Sequence, residues 1–232
     1  MTLKNLPVFL WIVLFSLPIV FECKSKPDGK PVPPRTVSLP DPVHAGEMTL
    51  EETFHLRRSV RSYTAEPIIL QQLSQLLWAA QGITSDEGYR TAPSAGALYP
   101  LLIYVVVGNV AGLDPGLYKY SPEGHTLSIL RRGDLRSALS KRALEQSQIE
   151  EAAVDIIIAA AYEQTTEKYG ERGRRYVHME AGHAGQNLCL QAESLNLGLC
   201  PVGAFDYDEV KGTLELPEGE TPLYIFSVGR VR

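Results

Sequence analysis

Apolar residues recur at three- and four-residue steps over residues 70–81 (LQQLSQLLWAAQ), the spacing that lines one face of an α-helix, and Gly82 stands where its C-cap is expected. A helix is also predicted over 49–59, because Thr49 and Glu52 stand at capping-box spacing at its start. Residues 134–146 and 206–214 read as shorter helices. Residues 174–196 read as a long one, interleaved with Ala181, Gly182, Ala184 and Gly185 and closed by Gly198. β-rich runs predict strands over 103–108 (IYVVVG) and 153–161 (AVDIIIAAA), the second apolar enough to be buried. Residues 116–120 and 126–130 read as a hairpin around Pro122 to His125. Residues 199–204 are short and extended, and 223–229 form the last strand. Helices and strands alternate irregularly with at least one hairpin, which means an α+β or mixed α/β domain with helices packed on a central sheet.

The start of the chain follows a different pattern. Lys4 precedes an uncharged run from Asn5 to Phe21, closed by Glu22 and Cys23. A basic residue followed by an apolar run predicts an export signal or single anchor over residues 1–23, with membrane association through 5–21. The run is at the lower limit for crossing a bilayer, and Pro7 and Pro18 shorten its helix. Cys23 admits a lipoprotein, although Phe21 and Glu22 stand where small residues are needed. A mis-assigned start codon is the remaining alternative and would leave the protein in the cytoplasm rather than at the envelope. Residues 24–47 are rich in proline, glycine and charge and read as an extended linker. Residues 48–232 then form one domain, long enough for a full core.

Composition narrows the functional classes. With 44% hydrophobic and 21% charged residues, the chain is an ordinary globular protein. Its net charge of −5 provides no global field for nucleic acid, so an anionic ligand needs a local basic cluster. Cys23, Cys189 and Cys200 form neither a disulfide framework nor a CxxC pair, and the last two read as small buried hydrophobes. The five histidines make no tight ligand cluster; His178 and His183, five apart, do not share a helix face. No metal site is expected. There is no GxGxxG after a strand and no phosphate-binding GxxxxGK loop.

Four local patterns could carry chemistry. Arg57, Arg58 and Arg61, with Ser59 and Ser62 between and beside them, lie within seven residues at a predicted helix end. Guanidinium groups fit phosphate oxygens in pairs, although a solvated basic patch has the same composition. In the second, Pro93 and Pro100 bracket small residues that would let backbone approach a flat ring, and Ser94 can donate a hydrogen bond; a tight turn explains the pattern as well. In the third, Gly203 and Ala204 follow a short strand and could present backbone N–H groups to developing negative charge, although Asp206 capping the next helix explains the break equally well. The fourth is the terminal Arg230 and Arg232 after Gly229.

The order of these patterns resembles the flavin-dependent nitroreductase superfamily, most closely the branch that includes the thiazoline and oxazoline dehydrogenases of peptide natural-product pathways. Residues 73–82, 168–173, Glu180 to His183, Gln186, Asn187 and Val228 to Arg230 strengthen the likeness, which spans about 50–232. It implies an α+β fold with a mostly antiparallel central sheet flanked by helices, an intertwined homodimer, and FMN at the subunit interface. Carried over by position, Arg57, Arg58, Ser59, Arg61 and Arg230 would hold the FMN phosphate and ribityl chain. Ser94 and Leu98 would contact the flavin from the other subunit, and Gly203 and Ala204 would place N–H groups near N5. Lys168 and Tyr169 match a pair that the azoline branch uses to abstract a proton; a solvated helix face over 167–172 fits the same residues. The small residues at 181–185 suit either a helix contact in the dimer or a core helix on the sheet.

The implied activity is hydride transfer through FMN between NAD(P)H or a small substrate and an acceptor. The apolar start and the lack of a recognisable peptide-binding domain count against peptide-azole synthesis. No twin arginine, the signal of the export route expected for a protein folded around FMN, precedes the apolar run. These features leave open a stand-alone enzyme with a small-molecule or peptide substrate. The alternative from another class is a non-catalytic flavin- or ligand-binding protein of the cell envelope.

Overall fold

The computed structural model describes residues 36–232. The apolar run at 5–21 and the signal or anchor expected over 1–23 lie outside the described residues. In chain order the elements are β1 (Thr36–Ser38), α1 (Leu50–Leu56), β2 (Ile68–Ile69), α2 (Leu70–Gln81), β3 (Leu101–Val107), β4 (Val110–Ala111), β5 (Gly116–Ser121) and β6 (Thr126–Arg132). They continue with α3 (Arg136–Arg142), α4 (Ser147–Glu151), β7 (Val154–Ala160), α5 (Glu163–Tyr169), α6 (Arg172–Ser194), β8 (Leu197–Val202), α7 (Tyr207–Leu214) and β9 (Thr221–Arg230). Seven strands form one antiparallel sheet in the order β1-β6-β5-β3-β7-β9-β8.

Both faces of the sheet are covered, which is why its central strands are apolar at nearly every position. Side chains alternate across a strand. Ile103, Val105, Ile156 and Ile158 therefore pack with Leu73, Leu76 and Leu77 of α2 and Val177, Ala181 and Leu188 of α6. Tyr104, Val106, Ile157 and Ile225 face the other way, onto Leu139 of α3, Ile149 of α4 and Val210 and Leu214 of α7. In α6 the buried positions 173, 177, 180, 181, 184, 185, 188, 189 and 192 follow the helical period. A Cβ on Gly185 would lie 2.6 Å from Phe226 Cζ, so close packing on β9 demands the small residue there. Ala181, Ala184 and Gly185 thus belong to the core, whereas Gly182 is exposed.

Several boundaries differ from the sequence expectation; the helix expected over 49–59 ends at Leu56, and the extended stretch expected over 199–204 is a strand from Leu197 to Val202. The helix expected over 134–146 ends at Arg142, and a second, unexpected helix follows at Ser147–Glu151: Leu144 and Glu145 take left-handed φ of 58° and 55°, and Ser140 Oγ donates to Gln146 O at 2.9 Å across the break. The long helix is closed by Asn196 (φ 55°) rather than by Gly198, which lies inside β8. The stretch 36–47, expected as the end of a linker, lies on the domain. β1 pairs with β6 at the sheet edge, and Leu39 is buried. Pro40 O accepts from Ser74 Oγ at 2.5 Å, and Val43 N–H donates to Gln75 Oε1 at 2.8 Å. Proline and charge disguise a strap that is held by buried Leu39 and by the carbonyls of Pro40 and Val43.

One residue ties the start of the domain to the end of the sheet. Residues 59–64 run beside β8 and then β9: Val60 N–H donates to Leu199 O at 3.0 Å, and Thr64 N–H to Arg230 O at 2.9 Å. Tyr63, 2% exposed, lies over Gly198 and Gly229 and donates from its hydroxyl to Ser227 O at 2.9 Å and Val60 O at 2.7 Å. Ser227 Oγ donates in turn to Asp155 Oδ1 at 2.6 Å, and burial pushes that carboxyl well above the ordinary carboxylate range. A Cβ on Gly229 would stand 2.8 Å from Tyr63 Cγ, so Gly229→Ala must displace the ring. The expected cost is about 1–3 kcal/mol of unfolding free energy in urea denaturation. A variant with the wild-type midpoint would show that the ring does not depend on this seat.

Candidate functional site

The basic segment begins where α1 ends. Thr49 and Glu52 form the expected capping box, with Thr49 N–H donating to Glu52 Oε2 at 2.8 Å and Glu52 N–H to Thr49 Oγ1 at 3.2 Å. The helix stops at Leu56 and Arg57 caps it. Arg58 folds back over the end of the helix: its Nη1 donates to His55 O at 2.9 Å and Arg57 O at 2.7 Å, two carbonyls at a helix end that has no further turn to bind them. Arg57 and Arg61 stand on either side of it. The charge of Arg57 is felt by the Cys189 thiol of α6, and that of Arg61 by the Cys200 thiol of β8. Burial still raises both thiols, Cys189 to about 11, so neither is a nucleophile at neutral pH.

Among the described residues none of Arg57, Arg58 and Arg61 has a carboxylate partner, whereas eight other arginines do. Arg230 is one of the eight. Its Nε donates to Pro67 O at 3.0 Å and lies 3.7 Å from Glu66 Oε2. It is therefore tied to the turn after Tyr63 and partly neutralised, so it is a weaker candidate for an external anion than Arg57 or Arg61. Ser59 bridges Leu199 of β8 in parallel. Four residues further along, past the end of that strand, Gly203 and Ala204 are exposed, about 13 Å away at the rise of a β-strand. Gly203 has ordinary room for a Cβ, 3.7 Å from Tyr224, so steric need does not explain this glycine.

A second constellation surrounds the turn between Pro93 and Pro100. Gly96, Ala97 and Tyr99 have φ of 65°, 53° and 49°, an unfavourable region for the two residues that carry a Cβ. Ser94 supports the turn: its Oγ accepts the Tyr99 N–H at 2.9 Å and donates to Glu180 Oε2 at 2.5 Å. From the other side come Lys168 and Tyr169 of α5. A Cβ on Gly96 would lie 2.6 Å from Tyr169 Oη and 2.8 Å from Lys168 Nζ, so both polar ends converge on the bare glycine. The Tyr169 ring is braced edge-on by Tyr176, with centroids 5.3 Å apart. Leu98 is half-buried in the same turn.

In the sequence Glu180 belongs to the resemblance over Glu180 to His183 and has no role assigned to it. Burial singles it out: it is 2% exposed, and its Oε1 has no hydrogen-bond partner among the described residues. Desolvation raises its carboxyl to about 7, against the opposing pull of the Ser94 hydrogen bond and the Arg90 charge. The signal that could have marked it is the helical period, which places Glu180 on the face of Val177, Ala181 and Ala184.

The two constellations touch α6 at different levels. Arg57 acts at Cys189 and Ser94 at Glu180, nine residues apart on α6, which is about 14 Å of helix. Two of the larger cavities border the strap and the Pro93–Pro100 turn. One of about 470 Å³ lies under the strap, beside His44, Trp78 and Gln191. Another of about 430 Å³ lies over β3 and β5, beside Arg90, Tyr99 and Lys119.

The raised Glu180 carboxyl carries a stability prediction. The folded chain keeps this proton between pH 4.5 and about 7, where the unfolded chain releases it. Stability from this group therefore falls as pH rises through that window, by as much as about 3 kcal/mol. Urea denaturation of Glu180→Gln against wild type should show the variant gaining relative stability from pH 4.5 to 7. A difference that stays flat would mean that the carboxyl ionises as an exposed one does.

The nitroreductase family model matches residues 56–230. A Methanocaldococcus jannaschii protein assigned as a nitroreductase, MJ1384, is 46% identical over 194 residues, covering 84% of this chain and 96% of its own. A solved structure from Anabaena variabilis, also assigned as a nitroreductase, matches with a TM-score of 0.76 and 34% identity over 86% of this chain, which spans 42% of that one. A third, from Ralstonia eutropha, matches with a TM-score of 0.74 and 30% identity over 85% of this chain and 90% of its own. The three-layer fold, the unpaired arginines beside β8 and these matches lead to one assignment: the chain belongs to the nitroreductase family of oxidoreductases.

Proposed function

We propose that this chain is an FMN-dependent oxidoreductase that works as a homodimer. The observation that carries the reading is the pair of half-buried Arg57 and exposed Arg61, without a carboxylate partner among the described residues, in the segment that Tyr63 fixes beside β8. Such a pair suits a phosphomonoester, because charge-assisted hydrogen bonds are strong where no internal anion competes. Ser59 adds a hydroxyl beside them. The distance of about 13 Å from Ser59 to Gly203 along β8 accommodates a ribityl chain, with the N–H groups of Gly203 and Ala204 facing the ring. Bound FMN supplies the ring that accepts and returns hydride.

The second half-site comes from the other subunit. The separation of about 14 Å along α6 supports this arrangement, as do the exposed apolar side chains Leu50, Phe54 and Leu56 of α1 and Met179 of α6. Gly96 lets the turn approach a flat ring, while Lys168 Nζ and Tyr169 Oη would exchange a proton with the substrate atom next to the one whose hydride is transferred, so that the double bond forms or is reduced between the two. This suits dehydrogenation of a small molecule or peptide as well as reduction by NAD(P)H. The apolar run at 5–21 would export the domain or anchor it at the envelope.

The purified chain should be yellow and release one FMN per chain on denaturation. Lys168→Met should keep the flavin and lower turnover by about 10²-fold or more. A folded chain that takes up no FMN when it is supplied in excess would end this reading, and full turnover in the Lys168 variant would remove its proton-transfer step.

A further inference from the structure

A serine hydroxyl has one proton and two lone pairs, so its partners determine what it can offer a ligand. Ser94 Oγ spends one lone pair on the Tyr99 N–H and its only proton on Glu180 Oε2. In this arrangement the hydroxyl cannot donate to anything outside the chain. Glu180 is enclosed on the sheet-facing side of α6. Its remaining oxygen, Oε1, is buried with no partner among the described residues, an expensive state for a carboxylate and a tolerable one for a neutral acid.

We infer that Glu180 is the positioning residue of this half-site: ionised, it draws the Ser94 hydroxyl proton inward, and protonated, it donates to Ser94 Oγ and frees that proton to point outward. The switch balances. Glu180 takes one proton from solvent, Ser94 Oγ then accepts from both Glu180 and the Tyr99 N–H, and its own O–H is released for a flavin or substrate acceptor. The outward end of the inference rests on the reading of the 94–98 turn as an element that faces the flavin.

The charges around Glu180 permit the switch near neutrality. Burial raises its carboxyl to about 7. Arg90, in the loop after α2, favours the ionised form but is itself paired with Glu123 at 3.2 Å. Lys168 and Tyr169 of α5 stand over Gly96 in the same turn. On α6 itself, Tyr176 and His183 lie one turn away. Among the described residues no second carboxylate touches Ser94, so the direction of its proton follows Glu180.

The test follows the protonated carboxyl by its infrared C=O stretch and the bound flavin by absorbance, from pH 5 to 9, in the chain with and without added FMN. In wild type the carboxyl band should vanish around pH 7, and the flavin absorbance should change with the same midpoint. Ser94→Ala removes a hydrogen bond to the ionised form, so the carboxyl midpoint should move upward and the flavin change should disappear. Glu180→Gln should lose both signals. A carboxyl midpoint unmoved by Ser94→Ala, or a flavin change that survives in either variant, overturns the inference and leaves Glu180 a buried structural acid. If Glu180→Gln does not fold, Ser94→Ala alone decides. Failure to bind FMN at all would overturn the flavin reading separately, because the shift between wild type and Ser94→Ala is read without flavin.

Discussion

Seating one tyrosine ring on two glycines organises this domain. Tyr63 can lie over Gly198 and Gly229 only because neither strand carries a side chain there, and its hydroxyl reaches Ser227 O at 2.9 Å because the ring lies that close. Residues 59–64 are thereby fixed beside β8 and β9 rather than left as a loop, and Arg57 and Arg61 are carried to either side of the β8 edge. Burial holds the Tyr63 phenol far above its ordinary range, so the anchor keeps its proton under any physiological condition. The basic segment thus owes its position to van der Waals contact and backbone hydrogen bonds, which leaves its charges uncommitted.

The opposite half-site is built differently. Its turn holds two residues with a Cβ in the left-handed region, and such a backbone persists only when its surroundings enforce it. Ser94 and Glu180 provide part of that enforcement, and Arg90 adds to it by stacking 4.6 Å from the Tyr99 ring centroid while Nη1 donates to Gln81 Oε1 at 2.9 Å. Gly96 is left bare beneath two polar side chains. The basic segment offers fixed positive charge, and the turn a bare glycine with two polar side chains over it. Helix α6 spans both, and its periodic small residues let it lie close enough to the sheet to do so.

Where local chemistry decides structure, the sequence was legible. The expected bounds of α2 are the observed ones, residues 70–81, because its apolar stripe is uninterrupted. The capping box at Thr49 forms as expected. Gly82, however, is required for a different reason: its backbone is extended, and a Cβ would lie 2.2 Å from the Trp78 ring. Tertiary partners account for what was missed. The break between α3 and α4 depends on Ser140 reaching Gln146, and the strap at 36–47 on carbonyls that meet Ser74 and the Gln75 side chain. Within the site, Arg57, Arg58 and Arg61 look equivalent along the chain, yet only the fold shows that Arg58 turns back onto its own helix. The Lys168–Tyr169 pair was visible, but its meeting with Gly96, 72 positions from Lys168, was not.

The account stands on uncommitted guanidinium groups beside an ordered strand edge, so the phosphate end of the ligand is where it is most exposed to test. Titrating the purified, flavin-stripped chain with FMN and with riboflavin, followed by flavin fluorescence, isolates that end. FMN should bind at least about tenfold more tightly than riboflavin, and replacing Arg57 and Arg61 together with alanine should bring the two affinities level. Equal affinities in the wild-type chain would contradict the central claim.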